Sequence, residues 1–367
     1  MIRSAANDAR PSGQRSVGQV LGKELDARGW SQADFATVLD RPLQFVNEIL
    51  KDKKELTRAS AAQVGAALGI SPEFWLQLQD AYELSKQSND AQVQTRLDEV
   101  RLRAKLKEVA PIELLKKRGI LAGSTPQELE IELLEMYETP SLDVEPAFAA
   151  AARRADKHED LSVLQRAWFA SVRKQARRQP PTVTYSKKEL RRLARTLSRM
   201  LRTAKDFETL PERFSEVGVR LVYIEAFPSA KIDGGAMFID GYPVIGLSGR
   251  GKRLDKILFT LLHEIAHILL EHVAGESYIV EDLDEARPAP SQKELEADKE
   301  AGDLKFPEGF PKPPARLSGP WVQQTAADLG VAPIVVIGHL QYLHRLDWRT
   351  TLAKNAPAVG HALESWS

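Results

Sequence analysis

The run His263-Glu264-Ile265-Ala266-His267 has the residue types and spacing for metal chemistry. Residues four apart on an α-helix lie about 40° apart around its axis, one turn along. His263 and His267 therefore point the same way and can hold one ion. Glu264 projects beside them, placed to accept a proton from water. Ile257, Leu258, Leu261, Leu262, Ile265, Leu269 and Leu270 supply the apolar remainder of a buried helix. A polar edge on such a helix is costly unless something pairs with it, and a metal ion does so.

Two histidines are not a catalytic zinc site. A third protein ligand is needed, with one position left open. The downstream candidates are His272, Asp282, Asp284, Glu285, Glu294, Glu296 and Asp298. His272, five residues past His267, is turned about 140° from the pair by helical geometry and is expected to cap the helix end. The acidic stretch from Glu281 to Glu285 reads as a solvated loop. From Ser291 a second helix resumes, and one of its carboxylates can reach across. The residues by themselves leave Glu294 and Glu296 both open. Tyr278 is the candidate hydrogen-bond donor to a transition state.

These helices need a platform. Val219 to Ile224 alternates and is β-branched, as a strand does. Residues 234–247 read as two strands around an Asp240-Gly241 turn. The expectation is a small antiparallel sheet, with residues 236–247 at its edge holding an extended peptide.

At the other end, Val17, Val20, Leu21 and Leu25 keep a helical stripe, and Gly29 stops it. Ser31 with Asp34 forms a near capping box for a second helix. Asp40-Arg41 makes a tight turn, and Pro42 opens a third helix that buries Phe45, Val46 and Ile49. Two more helices start at Thr57 and Ser71. A short helix, a tight turn and a third helix with outward Gln, Asn and Lys is the helix-turn-helix layout, with the third helix in the major groove. The candidate DNA contacts are Gln32, Arg41, Gln44, Asn47, Lys51 and Lys53. The intervening residues read as helices at about 97–109, 111–118 and 125–137, followed by a basic stretch whose Leu190, Leu193 and Leu197 keep the bases on an outer face.

Composition sets bounds. The chain has 367 residues, with 51 Lys plus Arg against 51 Asp plus Glu, so any nucleic-acid surface is local. There is no cysteine, which excludes disulfides and thiolate chemistry and leaves His and carboxylates as metal ligands. No apolar run approaches the roughly 20 residues a membrane helix needs, and the start has no signal-peptide core. A cytoplasmic protein is expected.

Two resemblances sharpen this. Gly29-Trp30-Ser31-Gln32, Arg41 to Ile49 and Leu68-Gly69-Ile70-Ser71-Pro72-Glu73-Phe74-Trp75 resemble the HigA-type antitoxin branch of the Xre helix-turn-helix family. Asp40 stands where that family's turn has Gly, and Asp tolerates the left-handed conformation. The resemblance implies a homodimer on a palindromic operator. Ile245-Gly246-Leu247-Ser248, Phe259 to Leu270 and Glu294 to Ala301 resemble the ImmA/IrrE family of zinc metallopeptidases. That resemblance implies Zn2+ held by His263, His267 and Glu296, with Glu264 as the catalytic base. Glu300 and Lys305 replace residues that are usually apolar there, which implies a looser second helix.

The expected architecture is α+β and predominantly α. A flexible tail (1–15) precedes a five-helix DNA-binding domain (16–88), a helical linker region with basic helices (89–208), a zincin-like domain (209–345) and a C-terminal tail (346–367). The expected function is a DNA-binding regulator whose zinc endopeptidase cleaves a repressor or antitoxin, or itself. The alternative is an antitoxin and autorepressor that binds a toxin, with the peptidase fold as scaffold.

Overall fold

The computed structural model describes residues 14–148, 161–273, 278–281 (backbone) and 291–366. All but the last two residues of the expected N-terminal tail lie outside them. The chain divides into two compact units, Met1–Arg101 and Leu102–Ser367.

The first unit contains α1 (Val17–Arg28), α2 (Gln32–Val38), α3 (Leu43–Leu50), α4 (Arg58–Leu68) and α5 (Pro72–Asn89). Capping boxes at Ser16/Gln19, Ser31/Asp34 and Thr57/Ser60 start three of them, satisfying amide donors that the first turn leaves bare. Gly29 and Gly69 end α1 and α4 in the left-handed conformation. Asp40 takes φ 54 between α2 and α3, as the turn requires. Pro42 is the cap of α3 and not its first residue. Leu21, Phe35, Val46, Ile49, Val64 and Trp75 form the core.

The division between the units falls within α6 (Ala91–Val109). Then come α7 (Ile112–Lys117), α8 (Pro126–Tyr137), α9 (Val163–Arg177), α10 (Lys187–Met200), α11 (Leu210–Ser215), β1 (Arg220–Tyr223), β2 (Gly234–Ile239), β3 (Tyr242–Leu247), α12 (Leu254–Leu269), β4 (Tyr278–Glu281), α13 (Gln292–Lys305), α14 (Gly319–Leu329), α15 (Pro333–Tyr342) and α16 (Gly360–Glu364).

The sheet is mixed, not antiparallel. Its order is β1-β3-β2-β4, and β1 runs parallel to β3. Asp240 and Gly241, both at positive φ, close the β2–β3 hairpin, which suits the twist of the flanking strands. That hairpin leaves an outer side free on each strand; β1 takes that of β3 and β4 that of β2. Residues 236–237 and 244–247 are therefore paired on both sides, and the edge strands are β1 and β4 rather than the expected 236–247.

Alternating strand residues separate two cores. Leu221, Tyr223, Ala236, Ile245 and Leu247 face the core around α12. Val222, Met237, Ile239 and Val244 face the core built on α8 and α9. Trp168 of α9 is fully buried there and donates from Nε1 to Ile224 O at 2.9 Å. Of the helices expected as a linker region, α8 and α9 thus form one layer of the sheet's packing, while α10 packs into the core around α12.

The expected C-terminal tail is also part of this unit. Val359, Leu363 and Trp366 are buried, and Trp366 Nε1 donates to Phe207 O at 2.9 Å. The helix α16 is five residues long, too short for a helical period to show in the sequence. Among the described residues, no helix is long and apolar enough to cross a membrane.

Candidate metal centre and helix-turn-helix surface

α12 is buried along nearly its whole length. His263, Glu264 and His267 are each 0% exposed. Close packing on β2 needs Gly234, since a Cβ there would lie 2.8 Å from Glu264 Oε1 and 2.7 Å from Thr260 Cγ2. Arg253, the residue before α12, binds Asp255 through two hydrogen bonds of 2.7 and 2.8 Å and reaches Gln341 Oε1 of α15 at 2.7 Å. The start of the helix is thereby fixed to its neighbour.

The carboxylate that meets the two histidines is Glu294, not Glu296. Glu294 lies 3.2 Å from His263 Nε2 and 3.6 Å from His267 Nε2, and the two Nε2 atoms are 2.7 Å apart. One ligand atom from each of His263, His267 and Glu294 lies within 4.8 Å of the others. Glu296 instead accepts from Gln292 and lies 3.1 Å from His272 Nε2. Two residues apart on a helix means about 200° around the axis, so these carboxylates cannot both face α12. Glu294 lies in line with Ala297, Ala301 and Leu304, which are buried. Apolar Leu295, next to Glu294, is half exposed, so the apolar residues of this helix do not by themselves mark its inner face.

Each histidine is also held through its other ring nitrogen. His263 Nδ1 is 3.0 Å from Asp298 Oδ1. His267 Nδ1 is 3.0 Å from His272 Nδ1. His272 does not follow the helical angle, because the helix stops before it. Glu271 takes φ 60, its N–H bonds Ile268 O, and the His272 N–H bonds His267 O at 3.0 Å. This is a Schellman turn with a non-glycine at its left-handed position, and it folds His272 back onto His267.

Burial, with His263 and His272 nearby, holds His267 below the ordinary imidazole range against the pull of Glu294. Its ring is therefore neutral at neutral pH, the form that ligates metal. Burial opposes ionisation of Glu294, but bonds to His263 and His267 outweigh it and keep the carboxyl well below its usual range. Two neutral imidazoles and one carboxylate suit zinc, and outer partners on both rings are what such ligands require. The residues present fit the ion.

The second helix is not loose. Glu300 pairs with Arg191 of α10. Lys305 is buried with its Nζ 5.1 Å from the Phe259 ring centre and 5.4 Å from that of Phe306. Burial pushes this amine down to about 8, although Asp255 and Asp298 pull the other way. Tyr278 lies on β4 opposite Met237, and its side chain is outside the described residues. So are Asp282, Asp284 and Glu285.

In the first unit, Gln32 opens α2 and is exposed. Arg41, Gln44, Lys51 and Lys53 are exposed, and Asn47 is half-buried on α3. Arg41 is fixed by Gln63 Oε1 at 3.2 and 3.1 Å and lies over the Phe45 ring. Gln44 donates to Glu48 at 2.8 Å, and Glu48 pairs with Lys54. The surface of α3 is an ordered polar network with cations at its end. In the second unit, the basic helices spend charge on neighbours: Arg173 and Arg177 on Glu138, Lys187 on Glu271, and Arg199 on Glu308.

α1 to α5 thus have the helix-turn-helix layout. The uncharacterized HTH-type transcriptional regulator YddM of Escherichia coli (strain K12) is 30% identical over 81 residues, 22% of this chain and 80% of YddM. The chain belongs to the HTH-type transcriptional regulators through that segment. No protein-family model matches it.

Proposed function

We propose that the chain is a DNA-binding transcriptional regulator whose second unit is a zinc-dependent endopeptidase acting on a regulatory protein, a repressor or antitoxin. The observation that carries the peptidase reading is the convergence of His263, His267 and Glu294 beside buried Glu264. The DNA-binding part is supported by the likeness to an HTH-type regulator and by the polar face of α3, where Gln44 and Asn47 can read base edges and Lys51 and Lys53 meet phosphates.

Zinc, when bound, supplies Lewis-acid polarisation of a carbonyl and lowers the pKa of water toward about 7. The protein does the rest. His263, His267 and Glu294 hold the ion. Glu264, next to His263 in sequence and screened from solvent by β2, takes a proton from the attacking water and returns it to the leaving amine. Asp298 and His272 keep the two rings in register.

Zinc content by mass spectrometry, with N-terminal peptide profiling of cells, tests this. About one zinc per chain is expected, lost in His263→Ala. Cells expressing the wild type should show a new N-terminus inside a regulatory protein, absent with Glu264→Gln. A wild type that takes up no zinc supplied at neutral pH would sink the reading. So would identical peptide profiles from the two strains.

A further inference from the structure

We propose that His272 and Glu296 form a hydrogen-bonded relay that sets the tautomer and orientation of His267 for metal binding. The inference rests on the metal-centre reading above. It gives Glu296, two hydrogen bonds away from the metal-facing nitrogen, a positioning role and no coordination.

The geometry allows the chain of bonds to run in one direction. His267 Nε2 faces His263 Nε2 at 2.7 Å and Glu294 Oε1 at 3.6 Å. A metal held there would take the lone pair of Nε2, which leaves the His267 proton on Nδ1. That nitrogen is 3.0 Å from His272 Nδ1. A hydrogen bond between two ring nitrogens needs one donor and one acceptor. His267 Nδ1–H donates, His272 Nδ1 accepts, and the His272 proton is left on Nε2. His272 Nε2 in turn lies 3.1 Å from Glu296 Oε2, which accepts it. Gln292 Nε2 donates to the other Glu296 oxygen at 2.9 Å. Each atom in the chain is used once, with its proton pointing away from the ion.

The backbone is arranged for this. The left-handed Glu271 turns the chain so that His272 returns over His267, and Lys293 Nζ donates to His272 O at 3.3 Å. His263 has the short version, with Asp298 directly on Nδ1 at 3.0 Å. The two rings are thus braced by carboxylates from one helix, Asp298 through one bond and Glu296 through two. Outer partners of this kind typically change metal affinity by about 10–100-fold.

The test is zinc affinity of the purified full chain, measured by competition with a chromophoric chelator. The variants are Glu294→Gln, Glu296→Gln, His272→Phe and the double variant Glu296→Gln/His272→Phe. Loss of the ligand Glu294 should weaken binding by about 1,000-fold or more. Glu296→Gln should cost about 3–10-fold, and His272→Phe about 10–100-fold. Adding Glu296→Gln to His272→Phe should change little, because the carboxylate acts only through the imidazole. Nitrogen-15 spectra of the zinc-loaded wild type should show protons on His267 Nδ1 and His272 Nε2. Glu296 is half exposed (48% side chain), so its variant carries the test if His272→Phe does not fold. A loss in Glu296→Gln as large as in Glu294→Gln makes Glu296 a ligand and overturns the relay. Wild-type affinity in Glu296→Gln and His272→Phe overturns it too. A wild type that binds no zinc defeats the metal-centre reading itself, and the relay with it.

Discussion

Asp298 Oδ1 lies 3.0 Å from His263 Nδ1, the ring nitrogen turned away from Glu294. Asp298 and Glu294 are four residues apart on α13, so one helical face supplies both a ligand and the carboxylate that orients another ligand. Asp298→Asn should keep the fold and lower zinc affinity by about 10–100-fold. Competition with a chelator measures this. Unchanged affinity would mean that His263 is oriented by packing alone.

Lys305 should make stability depend on pH in a defined direction. Its folded pKa is pushed down to about 8 from an ordinary 10.5, chiefly by burial. Between those values the unfolded chain binds the extra proton, so stability rises with pH through this window. Below it the buried charge costs on the order of 3 kcal/mol. Lys305→Met should therefore be more stable than the wild type at pH 7, with the gap narrowing from about pH 8 to 10.5. Urea unfolding at pH 7 and 10 reads the gap, and a gap that does not change with pH would rule out this titration.

Gly338 of α15 is set by Asp255. A Cβ at position 338 would lie 2.0 Å from Asp255 Oδ2, and that carboxylate is pinned by two bonds to Arg253. Gly338→Ala should destabilise the chain by about 1–3 kcal/mol, as overpacking does. It should also disturb the start of the metal helix. Thermal unfolding checks the first effect. A Gly338→Ala variant as stable as the wild type would show that Asp255 moves aside freely.

The face of α3 predicts two kinds of DNA defect. Gln44→Ala should cost about 1–3 kcal/mol on the preferred sequence and relax the preference at one position. Lys53→Ala should weaken binding to all sequences alike and reduce the salt slope by about 1. Selection from a random DNA pool, followed by binding at several salt concentrations, separates them. Equal losses on all sequences for Gln44→Ala would make it a phosphate contact.

The sequence alone determined whatever depends on near neighbours in the chain. The four-residue spacing placed His263 and His267 on one side of α12. Ser31 with Asp34 capped α2, Asp40 took the left-handed turn before α3, and Asp240-Gly241 closed the β2–β3 hairpin. Helical period, capping bonds and φ preference act over a few residues, so they can be read locally. Tertiary structure decided the rest. Which carboxylate meets the histidines depends on the rotation of α13 about its own axis. Buried Ala297, Ala301 and Leu304 set that rotation, together with the Arg191–Glu300 pair. The position of β1 in the sheet and the burial of Trp366 likewise depend on partners distant in sequence. A resemblance that gave Glu296 to the metal could not supply that rotation, because packing between helices fixes it.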